Sequence, residues 1–254
     1  MVDVHQHLWP EELLYALSRR SVPPRLSDGW LELPGEPPVR FDPAAHDPAG
    51  RVGDRILIAP SLPSGFDAEL SAAHDRGVLA LGAPFGLWAS GEPLDGAVGV
   101  CLAGRELPHA DALLRGLDVP LFVHPGPAAG SPPWFGALTG YVAEMHEAWM
   151  WWAAFGRERH PHLTVVFAML AGLAPLHSER LAARGGPVEA VHDPLTFFDT
   201  SSYGPRAVDA MLRVVGVDRL LYGTDVPVIE PVSLEPLGDA VVHALSHSNP
   251  ERIL

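Results

Sequence analysis

Four side chains that can share a metal ion stand at the ends of three apolar segments. His5 and His7 lie in Val2-Asp3-Val4-His5-Gln6-His7, which reads as a buried strand. A spacing of two in a strand turns both imidazoles to one face. His124 ends a second run, Phe122-Val123-His124-Pro125-Gly126, and Asp225 follows a third, in Tyr222-Gly223-Thr224-Asp225-Val226-Pro227. Three imidazoles and one carboxylate make a donor set for one divalent cation, Zn²⁺ first, with Mn²⁺ or Fe²⁺ as alternatives. Such a cation lowers the pKa of bound water from about 15.7 toward about 7 and polarises a carbonyl. An H-x-H pair alone reads more simply as two half-buried histidines with backbone partners. The coincidence of four candidates at three strand ends is what favours a metal.

The elements that must position these residues alternate along the whole chain. Strands are expected at Val2–His7, Arg55–Pro60, Val78–Pro84, Ala97–Leu102, Val119–His124, Leu163–Met169, Leu195–Asp199 and Arg219–Tyr222. Helices are expected at Pro10–Arg20, Phe66–Arg76, Glu106–Gly116, Tyr141–Gly156, Pro175–Ala183, Pro205–Val215 and Leu237–Ser246. Continuous apolar strands with helical crossovers indicate a parallel sheet covered on both faces. Eight such units in 254 residues match the size of a single α/β domain, a (βα)8 TIM-like barrel over 1–254. A doubly wound open sheet is the alternative, and no Gly-rich nucleotide fingerprint supports it. Two Pro- and Gly-rich stretches, Ser21–Gly53 and Pro125–Gly140, form long loops after the first and fifth strands, the first with a hairpin at Trp30–Arg40. In a barrel the four candidate ligands converge on the C-terminal mouth of the strands.

Composition narrows the partners. All 17 basic residues are Arg, so there is no Schiff-base, P-loop or metal-bridging carboxylated lysine. A net charge of −14 leaves no basic stripe for nucleic acid and argues against anionic membranes. The longest apolar run, Leu163–Leu176, is 14 residues, short of a bilayer span. A single cysteine, Cys101, fits a reducing compartment, and a strand starting at Val2 leaves no room for a signal peptide. A cytoplasmic protein acting on a small molecule is the expectation.

The motifs V-D-V-H-Q-H, F-V-H-P-G and Y-G-T-D-V-P, in that order, resemble the amidohydrolase superfamily, in particular its amidohydrolase-related branch akin to aminocarboxymuconate-semialdehyde decarboxylase. The resemblance spans almost the whole chain. It implies a distorted (βα)8 barrel with one divalent metal, usually zinc, held by His5, His7, His124 and Asp225. The activities it implies are hydrolysis of lactones or related carbonyl compounds, hydration, and non-oxidative decarboxylation of aromatic or unsaturated acids. It also implies a homodimer, with the loops after the fifth and sixth strands near the interface.

One departure from that pattern stands out. After the sixth strand, relatives carry a histidine in an A-H-x-G-G-like run that serves as base. Here the run is Ala168-Met169-Leu170-Ala171-Gly172, and Met169 cannot take a proton. The nearest substitute is His177, with an ordinary surface histidine as the plainer reading. Asp225 is then both ligand and proton acceptor. Trp9, Trp134 and Phe135 could wall a pocket for a planar substrate. Arg180 matches an arginine that in related decarboxylases reaches a substrate carboxylate from the neighbouring subunit, and a helix-surface salt bridge explains it equally well. Cys101 reads as a small buried thiol, with zinc ligation as the alternative. The leading expectation is a mononuclear metal-dependent hydrolase of a small carbonyl, ester, lactone or amide substrate. A decarboxylase and a metal-holding barrel without catalysis are the alternatives.

Overall fold

The computed structural model describes residues 1–254 apart from 35–36, 62–64 and 129–131. Eight parallel strands pair in strict sequence order: β1 (Val2–Gln6), β2 (Arg55–Ile58), β3 (Phe85–Ser90), β4 (Gly99–Ala103), β5 (Leu121–His124), β6 (Val165–Phe167), β7 (Thr196–Asp199) and β8 (Leu220–Leu221). The chain after β8 closes the circle on β1. Val4 N–H donates to the Tyr222 carbonyl (2.9 Å), Asp225 N–H to that of His5 (2.9 Å) and His7 N–H to that of Val226 (2.7 Å). The result is the expected (βα)8 barrel. Among the described residues no helix is long and apolar enough to cross a membrane.

The helices that cover the strands include α1 (Glu11–Ser18), α2 (Ala68–Leu81), α3 (Asp111–Gly116), α4 (Val142–Trp151), α5 (Ser178–Ala183), α6 (Pro205–Val215) and α7 (Asp239–His243). α4 runs on at both ends through π-helical turns, Ala137–Tyr141 and Trp152–Gly156. α6 starts with proline in its first turn and ends at Gly216, where the backbone turns left-handed (φ 83°). Aromatic residues fill the barrel. Trp88 stacks on Phe122 at 5.0 Å and donates its indole N–H to the Val4 carbonyl at 2.9 Å. Phe122 in turn meets His5 edge-on at 5.0 Å, which gives the site an apolar floor.

The third strand is displaced from its expected place. Val78–Pro84, expected as a strand, is split between the last turn of α2 and its exit, and β3 forms in Phe85–Ser90, expected as connection. A short apolar run such as Val-Leu-Ala-Leu does not distinguish helix from strand. The wider spacing decides it: Leu70, Ala73, His74, Gly77 and Val78 share the buried face of one helix. Asp67 caps that helix by accepting the Leu70 N–H at 3.1 Å. At Gly77 a Cβ would lie 2.4 Å from Pro10 Cγ, so the close approach of α2 to the start of α1 needs glycine.

The loop after β1 contains a small antiparallel sheet. Trp30–Glu32 pairs with Val39–Arg40 as the hairpin expectation required, and also with Arg25–Ser27. The expected loop after β5 is partly helical: Trp134 and Phe135 sit in a single turn, Pro133–Gly136, and 129–131 lie outside the described residues.

Candidate metal centre

His5, His7, His124 and Asp225 meet at one end of the barrel. The ligand atoms of the three histidines lie within 4.8 Å of one another, and all three side chains are buried. His5 Nε2 is 3.1 Å from His7 Nε2. Asp225 Oδ1 is 3.1 Å from His7 Nε2 and 3.7 Å from His5 Nε2.

The opposite ring nitrogens are all engaged outward. His5 Nδ1 contacts Asp199 Oδ2 at 2.8 Å and Ser201 Oγ at 3.1 Å. His7 Nδ1 meets the Ala59 carbonyl at 2.9 Å, and His124 Nδ1 the Pro125 carbonyl at 2.8 Å. Carbonyl and carboxylate oxygens only accept, so each Nδ1 carries the proton and each Nε2 presents a lone pair to its neighbours. Lone pairs facing one another with a carboxylate alongside repel unless a cation sits among them. The donor set therefore fits a divalent metal, and the outward partners are of the kind that orient metal-bound histidines.

The electrostatics point the same way. Burial and the neighbouring charges of His5 and His7 push His124 well down, toward the neutral, ligating form. Burial likewise lowers His7, against the opposing pull of Asp225. Burial also opposes charge on His5, but Asp199, Asp225 and Asp3 outweigh it and raise its pKa. Burial disfavours the Asp225 carboxylate, yet its hydrogen bond to His7, the charges of His5 and His7, and the Ser202 hydroxyl hold it well below the usual range.

The backbone at Asp225 explains the placement. Asp225 is left-handed (φ 65°), as is Ser202 (φ 64°), whose hydroxyl donates to Asp225 Oδ2 at 2.7 Å. A non-glycine residue in that region is held there by its surroundings. Asp3 is a further brace: its carboxylate accepts from His5 N–H, Thr224 N–H, Thr224 Oγ1 and Gln6 Nε2. It ties the first and last segments of the barrel together beneath the ligands.

Asp199 and Ser201 had no role in the sequence reading. Their signal was a carboxylate closing the apolar strand Thr196–Asp199 and followed by Thr200-Ser201, the same strand-end pattern that marked His124. Asp3 sits two residues before His5, so the alternation that aligned His5 and His7 also includes it. His46 and Arg51, on the loop after β1, were likewise unassigned. His46 stacks on Trp9 at 5.4 Å and accepts the Trp9 backbone N–H at 3.2 Å. Burial, the Arg51 charge and the His7 charge lower its pKa to about 4. Arg51 donates to the His7 and Ala45 carbonyls and to Gln6 Oε1, and among the described residues it has no ion pair.

Met169 follows β6, buried, with its backbone N–H donating to Asp199 Oδ1 (3.1 Å) and Ser201 Oγ (3.2 Å). The main chain at this position is thus wired to His5 through Asp199. Residues 169–173 all adopt left-handed angles, φ 49–64°. Each non-glycine residue there costs about 1–2 kcal/mol. Gly172 sits where a Cβ would be 2.5 Å from the Val142 carbonyl, so this turn presses directly on α4.

The other sequence candidates fall outside the cluster. His177 is exposed and meets His146 of α4, with ring centroids 5.1 Å apart. It lines a cleft with Arg180, and none of the four metal-site residues lines that cleft. Trp9 is buried against Phe41, His46 and Phe66, with its indole N–H on Ser61 Oγ at 2.8 Å. Trp134 is 62% exposed and contacts Phe135. Cys101 is buried inside β4. Burial, with the charges of Asp75 and Glu106, pushes its thiol well up, so it stays protonated and outside the ligand group.

No family model matches the chain, and no curated protein matches it in sequence. Solved structures share its fold. An amidohydrolase II superposes with a TM-score of 0.68 at 19% identity over 99% of this chain and 98% of its own. A 4-oxalomesaconate hydratase from Rhodopseudomonas palustris gives 0.64 at 15% identity over 100% and 95%. A 5-carboxyvanillate decarboxylase from Novosphingobium aromaticivorans, solved with manganese and a nitrobenzoic acid derivative, gives 0.56 at 16% identity over 89% and 86%.

Proposed function

We propose that this chain, which has the barrel fold of amidohydrolase-type enzymes, is a mononuclear metal-dependent carboxy-lyase acting on an aromatic or unsaturated carboxylic acid. The observation that carries the metal-dependent part is the convergence of three neutral-tautomer imidazoles and Asp225 on one point. Hydrolysis was the leading expectation from the sequence. The similar structures include a decarboxylase and a hydratase of carboxylic acids, which supports the lyase alternative over it.

His5, His7, His124 and Asp225 would hold the cation, which when bound supplies a Lewis acid for an oxygen of the substrate. The donor set suits zinc and also manganese. Asp199, Ser201 and the carbonyls of Ala59 and Pro125 keep the imidazole protons on the outer nitrogens. Asp225 is the group at the centre able to take up and return a proton at a carboxylate oxygen, and Ser202 steadies Oδ2. Arg51, which among the described residues has no ion pair and donates to the His7 carbonyl, puts a cation beside the centre for an anionic substrate.

A metal-holding barrel without catalysis is the remaining alternative. Metal-loaded protein offered aromatic and unsaturated acids should release CO₂, and His124→Ala should abolish the release. Cleavage of lactones or esters without CO₂ would restore the hydrolase reading. Full metal occupancy with neither reaction would support the non-catalytic barrel.

A further inference from the structure

The loop after β1 brings one more polar side chain to the end of the barrel that holds the ligands. His46 ends a 3₁₀ turn, Pro43–His46, capped by Asp42, whose carboxylate accepts the Ala44 N–H at 3.0 Å. A second such turn, Pro48–Gly50, is capped by Asp47 in the same way (Ala49 N–H, 2.9 Å). Two links stitch this segment to the strand end that carries His7. The Arg51 guanidinium donates to the Ala45 carbonyl (2.7 Å) and to the His7 carbonyl (2.9 Å). The Trp9 backbone N–H donates to His46 Nδ1 (3.2 Å).

These contacts fix the ring and its tautomer. The imidazole lies against Phe41 (5.3 Å, 5° between planes) and Trp9 (5.4 Å, 29°). A nitrogen that accepts an N–H carries no proton, so the neutral ring has its proton on Nε2. Burial and the charges of Arg51 and His7 outweigh Asp42 and hold the ring neutral. Among the described residues Nε2 has no hydrogen-bond partner, and it is not sealed from water. The other N–H of the stack, the Trp9 indole, is spent on Ser61 Oγ. An ordinary surface histidine titrates near about 6.5 and exchanges tautomers. His46 does neither, and keeps one N–H permanently on offer beside the metal ligands.

We propose that His46 is a substrate-binding residue: its Nε2–H donates to an oxygen substituent of the acid that the centre takes, and it does not replace the base missing at Met169. The inference rests on the lyase reading above. The Nδ1 lone pair is committed to Trp9 and Nε2 has none to offer, so taking a proton would break the backbone bond. A neutral donor suits an uncharged acceptor, since the stronger charge-assisted bond needs an ion on one side. The substrate class is therefore an aromatic or unsaturated acid that also bears a hydroxyl, alkoxy or carbonyl oxygen.

Isothermal titration of the metal-loaded chain with salicylate, meta-hydroxybenzoate and benzoate tests the contact, and nitrogen NMR of the histidine rings tests the tautomer without any ligand. At pH 7 the His46 ring should be the Nε2–H tautomer. At least one hydroxybenzoate should bind more tightly than benzoate. His46→Phe, which keeps a ring in the stack, should weaken that hydroxybenzoate about 3- to 10-fold, the worth of one neutral hydrogen bond, and leave benzoate unchanged. His46→Gln, whose amide N–H can take the place of Nε2–H, should recover most of the loss, and unchanged circular dichroism would show that both variants fold. Four results would overturn the proposal while leaving the lyase reading in place: an Nδ1–H or exchanging tautomer, no preference of the wild type for either hydroxybenzoate, no effect of His46→Phe, or an equal loss for benzoate, which would mark a packing role. Binding of none of the three acids up to about 10 mM would instead remove the lyase reading, and this inference with it.

Discussion

Asp199→Asn should weaken metal binding without touching a ligand. Asp199 is fully buried, and its two oxygens serve three donors: Oδ2 takes the Nδ1 proton of His5 at 2.8 Å, while Oδ1 accepts from Met169 N–H and Ser201 N–H. An asparagine can put its oxygen on only one of these sides. If the amide NH₂ faces His5, that ring must accept at Nδ1 and move its proton to Nε2, into the cluster, where it displaces a metal lone pair. If the oxygen faces His5, the NH₂ opposes two backbone N–H groups in a water-free site, an unmet pairing worth about 1–3 kcal/mol. Substitution of such an outer partner typically costs about 10- to 100-fold in metal affinity, or about 1.4–2.7 kcal/mol. Competition against a chromophoric chelator, with zinc and with manganese, measures it directly. His5→Ala serves as the limit in which a ligand itself is gone. Wild-type affinity in a folded Asp199→Asn protein would refute the argument that Asp199 sets the His5 tautomer.

Four further outcomes are expected. Metal content measured on His5→Ala/His7→Ala and on His124→Ala should fall to near zero against one ion per chain in the wild type. Gly172→Ala should lower stability by about 1–3 kcal/mol, read as a drop in Tm, because a Cβ there is both left-handed and 2.5 Å from the Val142 carbonyl. His46, held neutral with its pKa lowered to about 4, leaves the unfolded chain binding more protons between pH 6.5 and 4. Stability should therefore decline as pH falls through that window, and His46→Phe, compared by urea melts at pH 7 and pH 4.5, should remove part of the decline. Met169→His, placed in a left-handed position that histidine tolerates, should raise turnover if a base at that position is what the centre lacks. No gain would mean that the pocket is organised around methionine.

The barrel and the convergence of His5, His7, His124 and Asp225 at one end of it were legible in the sequence for a local reason. Apolar runs of four to six residues, each ending in His or Asp, carry their own signal, since strand alternation alone puts His5 and His7 on one face and proline or glycine marks the strand ends. Parallel strands joined by helices admit few topologies, and the length singled out the closed one. Other features depended on contacts between distant segments. The helix over Ala68–Leu81 won over a strand at Val78–Pro84 because its buried face packs on α1 at Gly77 and Pro10. Asp199 acquires its role from His5, which is 194 residues away in sequence. His177 looked close to the centre because it follows the sixth strand, but the left-handed turn at 169–173 precedes it and the chain delivers it to His146 instead. Residue type and spacing decided which atoms could bind a metal. Only the tertiary structure decided which nitrogen of each ring faces the centre of the cluster, because that depends on hydrogen bonds to groups that no local pattern brings near.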